Sequence, residues 1–569
     1  MPFDVVIRGG ALVDGTGAPA RLADVAVSGG VITEIGELDD PAAATEVDAA
    51  GCVVTPGFVD PHTHLDAQLC WDPTASPTCL HGVTSVVLGL CGFGVAPCPD
   101  GGGEYLLRSL EMVEEIPFDS TSLGVPFTWS TWPEFLAHLG TLPLGVNVAG
   151  LVPHSALRYF VMGERARSET ATADDRAALV AELSRSLDAG ALGFATSRGP
   201  NHNDAYGEPV PSRRADDAEL RALVGACRGR PWQINVRTKF SGDAAGLIAE
   251  VEGYVDWTEE AGARLSWTPF FAEPGDDVWQ QVLEHNWAVN ERVWVAPQVL
   301  PQPITTTLRF DRVSVAVLVR GWGEAMDGFF DLDHDARRAR VADPAFRAML
   351  RDAPQDCTSM FGPCYREWVI ASSPSRPDLQ GSTLADAAAA AGCPPTDLLC
   401  DFVVADDLVT ELQTPVVNRD RDGTAQLAGE PSTLIGLGDS GAHVMSVTNY
   451  TYPTDLLARL VRDEQRLPLE TAVHRLTAHP ARFLGIEDRG TVAVGRPADL
   501  CVIDLDGLAV GPLTVTHDLP GGASRLFRAA TGYRAVVVNG EVTVADDRHT
   551  GRPAGALLRA GVSSESTPG

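Results

Sequence analysis

The sequence predicts a (β/α)₈ barrel of the TIM type beside a discontinuous β-sandwich domain formed by both termini. Eight strand-like segments alternate with helix-like segments through the middle of the 569-residue chain. Both ends are rich in short strands, and one connection in the middle is far too long for a plain loop. The alternative, an open doubly wound sheet, would need a glycine-rich phosphate loop after an early strand, and we find none.

Both ends of the sequence contain short predicted strands separated by turns. Strands are predicted at 4–13 and 24–35, with Gly-Gly turns, and at 498–504 and 533–544, where Asn539-Gly540 predicts a type I′ hairpin. We therefore assign residues 1–57 and 485–569 to one β-sandwich and residues 58–484 to the barrel. The last residues, 563–569, are predicted to be disordered.

The barrel strands follow from short apolar runs bounded by turn residues. They are predicted at 53–60, 82–91, 144–151, 191–197, 232–237, 264–269, 292–298 and 433–438. The connection between strands seven and eight, about 302–432, is predicted to be an inserted subdomain. A lid over the barrel mouth and a peripheral dimerisation element are equally consistent with it.

Composition excludes several classes of partner. A net charge of −33 argues against nucleic acid and anionic membranes, which would be repelled. It also means that an anionic substrate would need a local basic group. The chain has no apolar run of 18 or more residues, so we expect no membrane span. Its first residues lack a basic segment and an apolar core, so we also expect no secretory signal. Eleven irregularly spaced cysteines favour reduced thiols and a cytoplasmic location.

A histidine pair follows the first barrel strand. Residues two apart on a strand project to the same side, so His62 and His64 should point at one position. Two neutral imidazoles suit a borderline metal such as zinc. The sequence therefore predicts a metal site here, against the alternative of two unrelated loop histidines.

The run Gly57-Phe58-Val59-Asp60-Pro61-His62-Thr63-His64 resembles the first-strand motif of the amidohydrolase superfamily. Its continuation through residues 65–68, 71–74 and 82–93 resembles the D-aminoacylase branch, the N-acyl-D-amino-acid deacylases. This resemblance implies a barrel with a β-sandwich, Zn²⁺ as cofactor, a small-molecule substrate and a homodimer or larger homo-oligomer.

Further candidate residues lie at the ends of the following strands, where barrel enzymes have their catalytic residues. Cys91 ends strand two, where the resemblance implies a metal-binding cysteine. His154, after strand three, lies in a His-Ser-x-Leu-Arg motif of the same branch and is predicted to contact the substrate or the catalytic water. Arg198, after strand four, is a candidate to bind an anionic substrate group with its guanidinium nitrogens; the alternative is a structural ion pair. The remaining predicted substrate-binding residues are Asp66, Asn201, His202, Asn235, Arg237 and His443.

Strands five and six depart from the superfamily pattern. A binuclear site would place a histidine at each end, but these positions hold Asn235 and Trp267 or Thr268, which are poor zinc ligands. We therefore expect one metal ion, held by His62, His64, Asp439 and possibly Cys91.

Asp439 ends the eighth strand in Gly436-Leu437-Gly438-Asp439. The resemblance implies a metal-ligating general base there, which would take a proton from water and pass it to the leaving nitrogen. The expected function is hydrolysis of the C–N amide bond of an N-acyl-D-amino acid or a similar small amide. Two alternatives remain: a non-hydrolytic relative, such as a decarboxylase, lyase or cyclase, and an inactive binding protein.

Overall fold

The computed structural model describes residues 3–39, 42–239, 241–311, 314, 316, 319–357 and 362–560. The chain divides into two compact units. The first comprises Met1–Phe271, Asp277–Gln302 and Asp422–Gly569, and the second comprises Ala272–Asp276 and Pro303–Arg421. The tail predicted at 563–569 lies outside the described residues. Within the described ranges, every helix is too short or too polar to traverse a lipid bilayer.

Strands occur in both units. They are β1 (Phe3–Leu12), β2 (Arg21–Ser28), β3 (Val31–Gly36), β4 (Ala43–Asp48), β5 (Val53–Pro56), β6 (Phe58–Asp60), β7 (Val83–Leu88), β8 (Asn147–Pro153), β9 (Gly193–Ser197), β10 (Pro231–Asn235), β11 (Arg264–Thr268), β12 (Val295–Val299), β13 (Ile304–Leu308), β14 (Val369–Ser372), β15 (Glu411–Val417), β16 (Leu434–Ile435), β17 (Leu500–Ile503), β18 (Ala509–Val510), β19 (Thr514–Thr516), β20 (Arg525–Phe527), β21 (Ala530–Thr531), β22 (Tyr533–Val538), β23 (Glu541–Ala545) and β24 (Arg548–His549).

Helices fill most of the connections. They are α1 (Gly103–Glu114), α2 (Phe118–Gly124), α3 (Trp132–Leu139), α4 (His154–Met162), α5 (Ala173–Asp188), α6 (Asp217–Cys227), α7 (Ala244–Ala261), α8 (Val278–Asn290), α9 (Gly323–Met326), α10 (His334–Ala342), α11 (Pro344–Asp352), α12 (Leu384–Ala391), α13 (Pro395–Ala405), α14 (Arg421–Gly429), α15 (Tyr452–Asp455), α16 (Leu469–Leu476) and α17 (Ala478–Leu484), with a π-helical segment at Leu456–Asp463.

The barrel sheet contains eight parallel strands in the order β6-β7-β8-β9-β10-β11-β12-β16. Beyond the ends of the outer strands, a parallel bridge joins Thr63 to Ser440. Near it, His64 N donates to Ser440 O at 2.7 Å and Asp439 N to His62 O at 3.2 Å. Strands β7 and β8 are buried along their whole length, as expected for parallel strands covered on both faces. The predicted fold class is confirmed.

The β domain joins the two ends of the chain in one mixed sheet. Its strand order is β24-β23-β22-β17-β5-β1-β2-β3, with β4 paired to β1. The predicted hairpin is present between β22 and β23, and its turn residues Asn539 (φ 45°) and Gly540 (φ 86°) have the positive φ values that a type I′ turn requires. The buried apolar core includes Val25, Val54 and Val537, from early and late strands alike.

The second unit contains most of the insertion predicted between strands seven and eight. It has a three-stranded antiparallel sheet in the order β13-β15-β14, together with helices α9 to α13. Its core includes Trp322 and Trp368, whose ring centroids are 5.5 Å apart. Both predicted roles for the insertion, lid and dimerisation element, stay predictions.

One pair of cysteines differs from the expectation of reduced thiols. Cys357 and Cys364 form a disulfide, with Cα atoms 4.8 Å apart, while nine cysteines are free. The irregular spacing of the cysteines did not indicate this pair, whose members lie seven residues apart.

Candidate metal centre

Two histidines project together just beyond β6. His62 and His64 are buried, and their ring centroids are 5.3 Å apart. Asp60 at the end of the strand accepts a hydrogen bond from His62 N at 3.1 Å, which fixes the backbone as it leaves the sheet. One ligand atom from each of His62, His64 and Cys91 lies within 4.8 Å of the others. The structure thus brings three of the four predicted ligands, His62, His64 and Cys91, into one cluster.

His62 is held with one ring nitrogen facing this cluster. Its Nδ1 lies 2.5 Å from Gln298 Oε1, and Gln298 Nε2 in turn donates to Ser266 Oγ at 2.9 Å. Because an amide oxygen only accepts, Nδ1 carries the proton and Nε2 keeps its lone pair. Burial lowers the pKa of His62, which favours this neutral form. His62 is therefore prepared to bind a cation through Nε2.

Cys91 reaches the cluster from a left-handed turn after β7. Gly89 (φ 76°), Cys91 (φ 56°) and Gly92 (φ 78°) all have positive φ, and Cys91 N donates to Gln233 Oε1 at 3.0 Å. The turn places Cys91 Sγ 3.2 Å from His62 Nε2. Positive φ in a residue other than glycine is strained and is characteristic of functional sites.

Asp439 faces the same imidazole from the other side. It follows β16, has a φ of 47°, and places Oδ1 3.4 Å from His62 Nε2. Its side chain is 16% exposed, whereas that of His62 is fully buried. The carboxylate therefore borders both the cluster and the solvent.

This set of donors fits zinc. It combines two imidazoles, a thiol and a carboxylate, which are the groups zinc prefers. His64 Nδ1 is buried without a hydrogen-bond partner among the described residues, and its closest carboxylate oxygen, Glu114 Oε1, is 3.5 Å away. Burial also lowers the pKa of His64 well below its ordinary value, so the ring is neutral. Buried neutral imidazoles beside an acid and a thiol are explained by a cation between them.

An acidic pair at the end of α1 completes the site, and sequence reasoning missed it. Glu114 Oε2 lies 3.8 Å from His443 Nε2, and Glu115 Oε2 lies 3.6 Å from His443 Nδ1. Burial raises the pKa of Glu114 to about 8. Burial acts to lower the pKa of His443, but Glu115, then Glu114 and Asp439, outweigh it and raise this pKa to about 9. The only sequence signal was two acids ending a helix.

Three predicted substrate residues lie close to this cluster. Asp66 is buried, its Oδ2 accepts from Gly89 N at 3.2 Å, and burial raises its pKa to about 7. Asn235 Oδ1 accepts from Gln233 Nε2 at 3.0 Å, which places it beside the turn of Cys91. His202 Nδ1 bonds to Ser197 Oγ at 2.6 Å, and burial lowers its pKa to about 3.

Other predicted residues have contacts elsewhere. Both ring nitrogens of His154 are occupied, Nδ1 by Thr196 Oγ1 at 2.7 Å and Nε2 by Glu219 Oε1 at 2.8 Å, and the side chain is fully buried. A contact with substrate would require breaking one of these bonds, so this arrangement is that of a structural histidine. The motif gave no sign of this pairing, because Glu219 lies 65 residues away on α6.

The two arginines predicted to bind substrate also have acidic neighbours. Arg198 Nη2 donates to Asp217 Oδ1 at 2.5 Å, which is the structural ion pair that the sequence left open. Arg237 is 62% exposed, with Nε 3.6 Å from Glu250 Oε1. Asn201 lies exposed in the loop after β9. Strands β10 and β11 end in Asn235 and Thr268, as the sequence analysis noted.

Comparison with known proteins covers the chain from end to end. The amidohydrolase family model matches residues 45–350 and 370–544. N-acyl-D-glutamate deacylase of Alcaligenes xylosoxydans xylosoxydans is 29% identical over 572 residues, which cover 100% of this chain and 98% of the relative.

Solved structures agree with this match. N-acyl-D-glutamate deacylase from Bordetella bronchiseptica, complexed with zinc and a phosphonate mimic of the tetrahedral intermediate, is 27% identical with a TM-score of 0.64, covering 98% of this chain and 100% of that one. A D-aminoacylase with a binuclear metal centre is 25% identical with a TM-score of 0.65 at the same coverage. The similarity therefore includes both the β domain and the barrel.

Proposed function

Because this chain belongs to the amidohydrolase family, on the D-aminoacylase branch, we propose that it hydrolyses the amide C–N bond of an N-acyl-D-amino acid or a similar small amide. The observation that carries this proposal is the convergence of His62, His64, Cys91 and Asp439 at one end of the barrel strands. Active sites of such barrels lie at this end.

Zinc held by His62 Nε2, His64, the Cys91 thiolate and Asp439 would supply a Lewis acid that polarises a carbonyl and acidifies water. The chain's own residues do the rest. Gln298 keeps the His62 proton on Nδ1, so that Nε2 stays available. Asp439, at the solvent border of the site, accepts a proton from the attacking water and returns it to the leaving nitrogen.

We propose one zinc ion per chain, in contrast to the binuclear centre of the D-aminoacylase relative. The support is the pair of strand ends at Asn235 and Thr268, because amide and hydroxyl groups are poor zinc ligands. A cytoplasmic location and a homo-oligomer are further proposals, the first supported by the nine free cysteines. Light scattering of the purified protein measures the second.

The experiment combines metal analysis with a substrate panel. Purified protein should contain about one zinc ion per chain, and N-acyl-D-amino acids and related amides should release free amine. His64→Ala should lose both the metal and the activity. Wild-type protein that binds no divalent ion would exclude the metal-dependent mechanism. Product formed without uptake of water would instead favour the non-hydrolytic alternative.

A further inference from the structure

The charges around the metal centre restrict the substrate, provided that the proposed function holds. The deacylase relatives are described as acting on N-acyl-D-glutamate and N-acyl-D-aspartate, which are anions. An anion entering this chain, with its net charge of −33, needs a basic group at the site. The first question is therefore which cations near the strand ends are available.

Two arginines that follow β9, Arg198 and Arg213, already have partners, and the more exposed Arg237 after β10 has its Nε 3.6 Å from Glu250 Oε1. Arg198 is paired with Asp217, is 7% exposed, and lies 5.8 Å from the centroid of the Tyr254 ring. Arg213 donates to His202 O at 2.9 Å and to Asn203 Oδ1 at 2.7 Å. An anionic substrate would have to compete with these contacts.

His443 lies beside the acids that border the metal cluster, and its positive charge is balanced by carboxylates. Its two ring nitrogens face different carboxylates, Nε2 that of Glu114 at 3.8 Å and Nδ1 that of Glu115 at 3.6 Å. Its backbone N also donates to Glu114 O at 2.5 Å, so the ring is held in this position. A substrate carboxylate would be a third acid beside a single imidazole.

Glu115 is the more exposed carboxylate of the two beside His443. Its side chain is 51% exposed, compared with 5% for Glu114, and it is oriented by His443 and by a hydrogen bond from Ser446 Oγ. Like charges brought together at a binding site are strongly unfavourable.

We infer that the preferred substrate carries no free carboxylate beside the scissile amide and has a neutral or positively charged group in its place, with Glu115 selecting for it. This narrows the proposed function from N-acyl-D-amino acids to the related small amides. It also makes Glu115 a specificity-determining residue.

The test uses three matched compounds: N-acetyl-D-leucine, its primary carboxamide and its 2-aminoethylamide, which are an anion, a neutral molecule and a cation. Release of acetate by the zinc-loaded enzyme measures cleavage of the same bond in all three. We expect kcat/KM for the neutral and cationic compounds to exceed that for the anion by at least about tenfold. A preference for the anion would overturn the inference.

Two variants distinguish the effect on kcat/KM of a charge at the site from the effect of the protein's overall charge. Glu115→Gln should raise kcat/KM for the anion and lower it for the cation. Glu104→Gln, in the first turn of α1 and in a surface pair with Arg108, removes the same charge and should leave the ratio unchanged. Equal effects of the two variants would contradict a role for Glu115. Should Glu115→Gln fail to fold, the wild-type ratio should shrink as salt rises from about 20 mM to about 500 mM.

Failure of this inference can be told from failure of the proposed function. If no compound releases acetate, the hydrolase proposal fails, and calorimetric affinities of the three compounds for the wild-type protein still rank the charges. The main rival is Lys239, the single lysine of the chain, exposed in the loop after β10. A preference for the anion that Lys239→Ala removes would assign the carboxylate to that lysine.

Discussion

At the level of single residues, His62 receives its orientation from a neutral partner. Gln298 Oε1 accepts from His62 Nδ1, and Ser266 holds the Gln298 amide. Removal of a group that orients a metal ligand in this way typically lowers metal affinity or activity by about 10- to 100-fold.

Gln298→Leu should therefore lower zinc affinity about 10- to 100-fold, because leucine cannot accept the Nδ1 proton. Competition with a chromophoric chelator measures the affinity. Gln281→Leu is the control, since Gln281 lies on α8 and donates only to the exposed Asp277. Unchanged affinity in Gln298→Leu would show that His62 is not oriented through this contact.

The residues of the metal centre differ in how readily the sequence alone predicts them. His62, His64 and Asp439 were predicted as ligands because each lies in a recognisable motif at a predicted strand end. Gln298 lies inside an otherwise apolar strand, and its only signal was polarity at a buried position. Glu114 could not be predicted, because its contact with His443 joins distant parts of the chain.

At the level of elements, the turn after β7 positions Cys91. A Cβ atom on Gly89 would lie 2.0 Å from Leu151 O on β8, so the turn packs directly against the neighbouring backbone. Only glycine satisfies both this contact and a φ of 76°.

Gly89→Ala should destabilise the protein by more than about 3 kcal/mol, since β8 must move in addition to the backbone strain. Gly101→Ala is the matched control. Gly101 has a similar φ of 74°, but its added Cβ would meet no atom within 4 Å, so about 1 kcal/mol is expected. Thermal unfolding of both variants makes the comparison. Equal losses of stability would show that the contact with Leu151 is unimportant.

The barrel strands were predictable from their apolar runs, but the first and the last differ from the prediction. The predicted first strand, 53–60, is divided between β5 in the β domain and β6 in the barrel sheet. The eighth strand was predicted at 433–438, but β16 covers only Leu434–Ile435. Leu437 (φ 59°) and Asp439 (φ 47°) leave the extended conformation, which ends the ladder and turns the aspartate toward His62. Function at the strand end overrides the local preference for strand.

At the level of the whole molecule, buried neutral histidines make stability depend on pH. His81 is fully buried, with Nδ1 2.8 Å from Thr454 Oγ1 and Nε2 3.0 Å from Arg528 O. Burial lowers its pKa from 6.5 to about 4. Below pH 6.5 this histidine becomes protonated in the unfolded chain, whereas in the folded chain it stays neutral until about pH 4.

Stability should therefore fall as pH decreases from 6.5 to 4, with His81 contributing up to about 3 kcal/mol. His81→Gln should remove this part of the decrease, as seen in thermal midpoints at pH 7 and pH 4.5. His517→Gln, at an exposed position, should leave the profile unchanged. An acid profile that is identical in wild type and His81→Gln would contradict the assignment.

The domain-level features that involve hydrophobic patterning were predictable. The meeting of the termini in one sheet followed from strands at both ends, and the insertion followed from an overlong connection. The Cys357–Cys364 disulfide was not foreseen, because cysteine spacing alone does not reveal which thiols the fold brings together.

The placement of β5 in the β domain bears on how the protein is made. This strand lies between β1, near the start of the chain, and β17, near its end. While the ribosome is still translating the barrel, one edge of β5 has no partner to pair with. The nascent β domain thus stays incomplete through most of synthesis, and its apolar edge is a natural binding site for chaperones until β17 emerges.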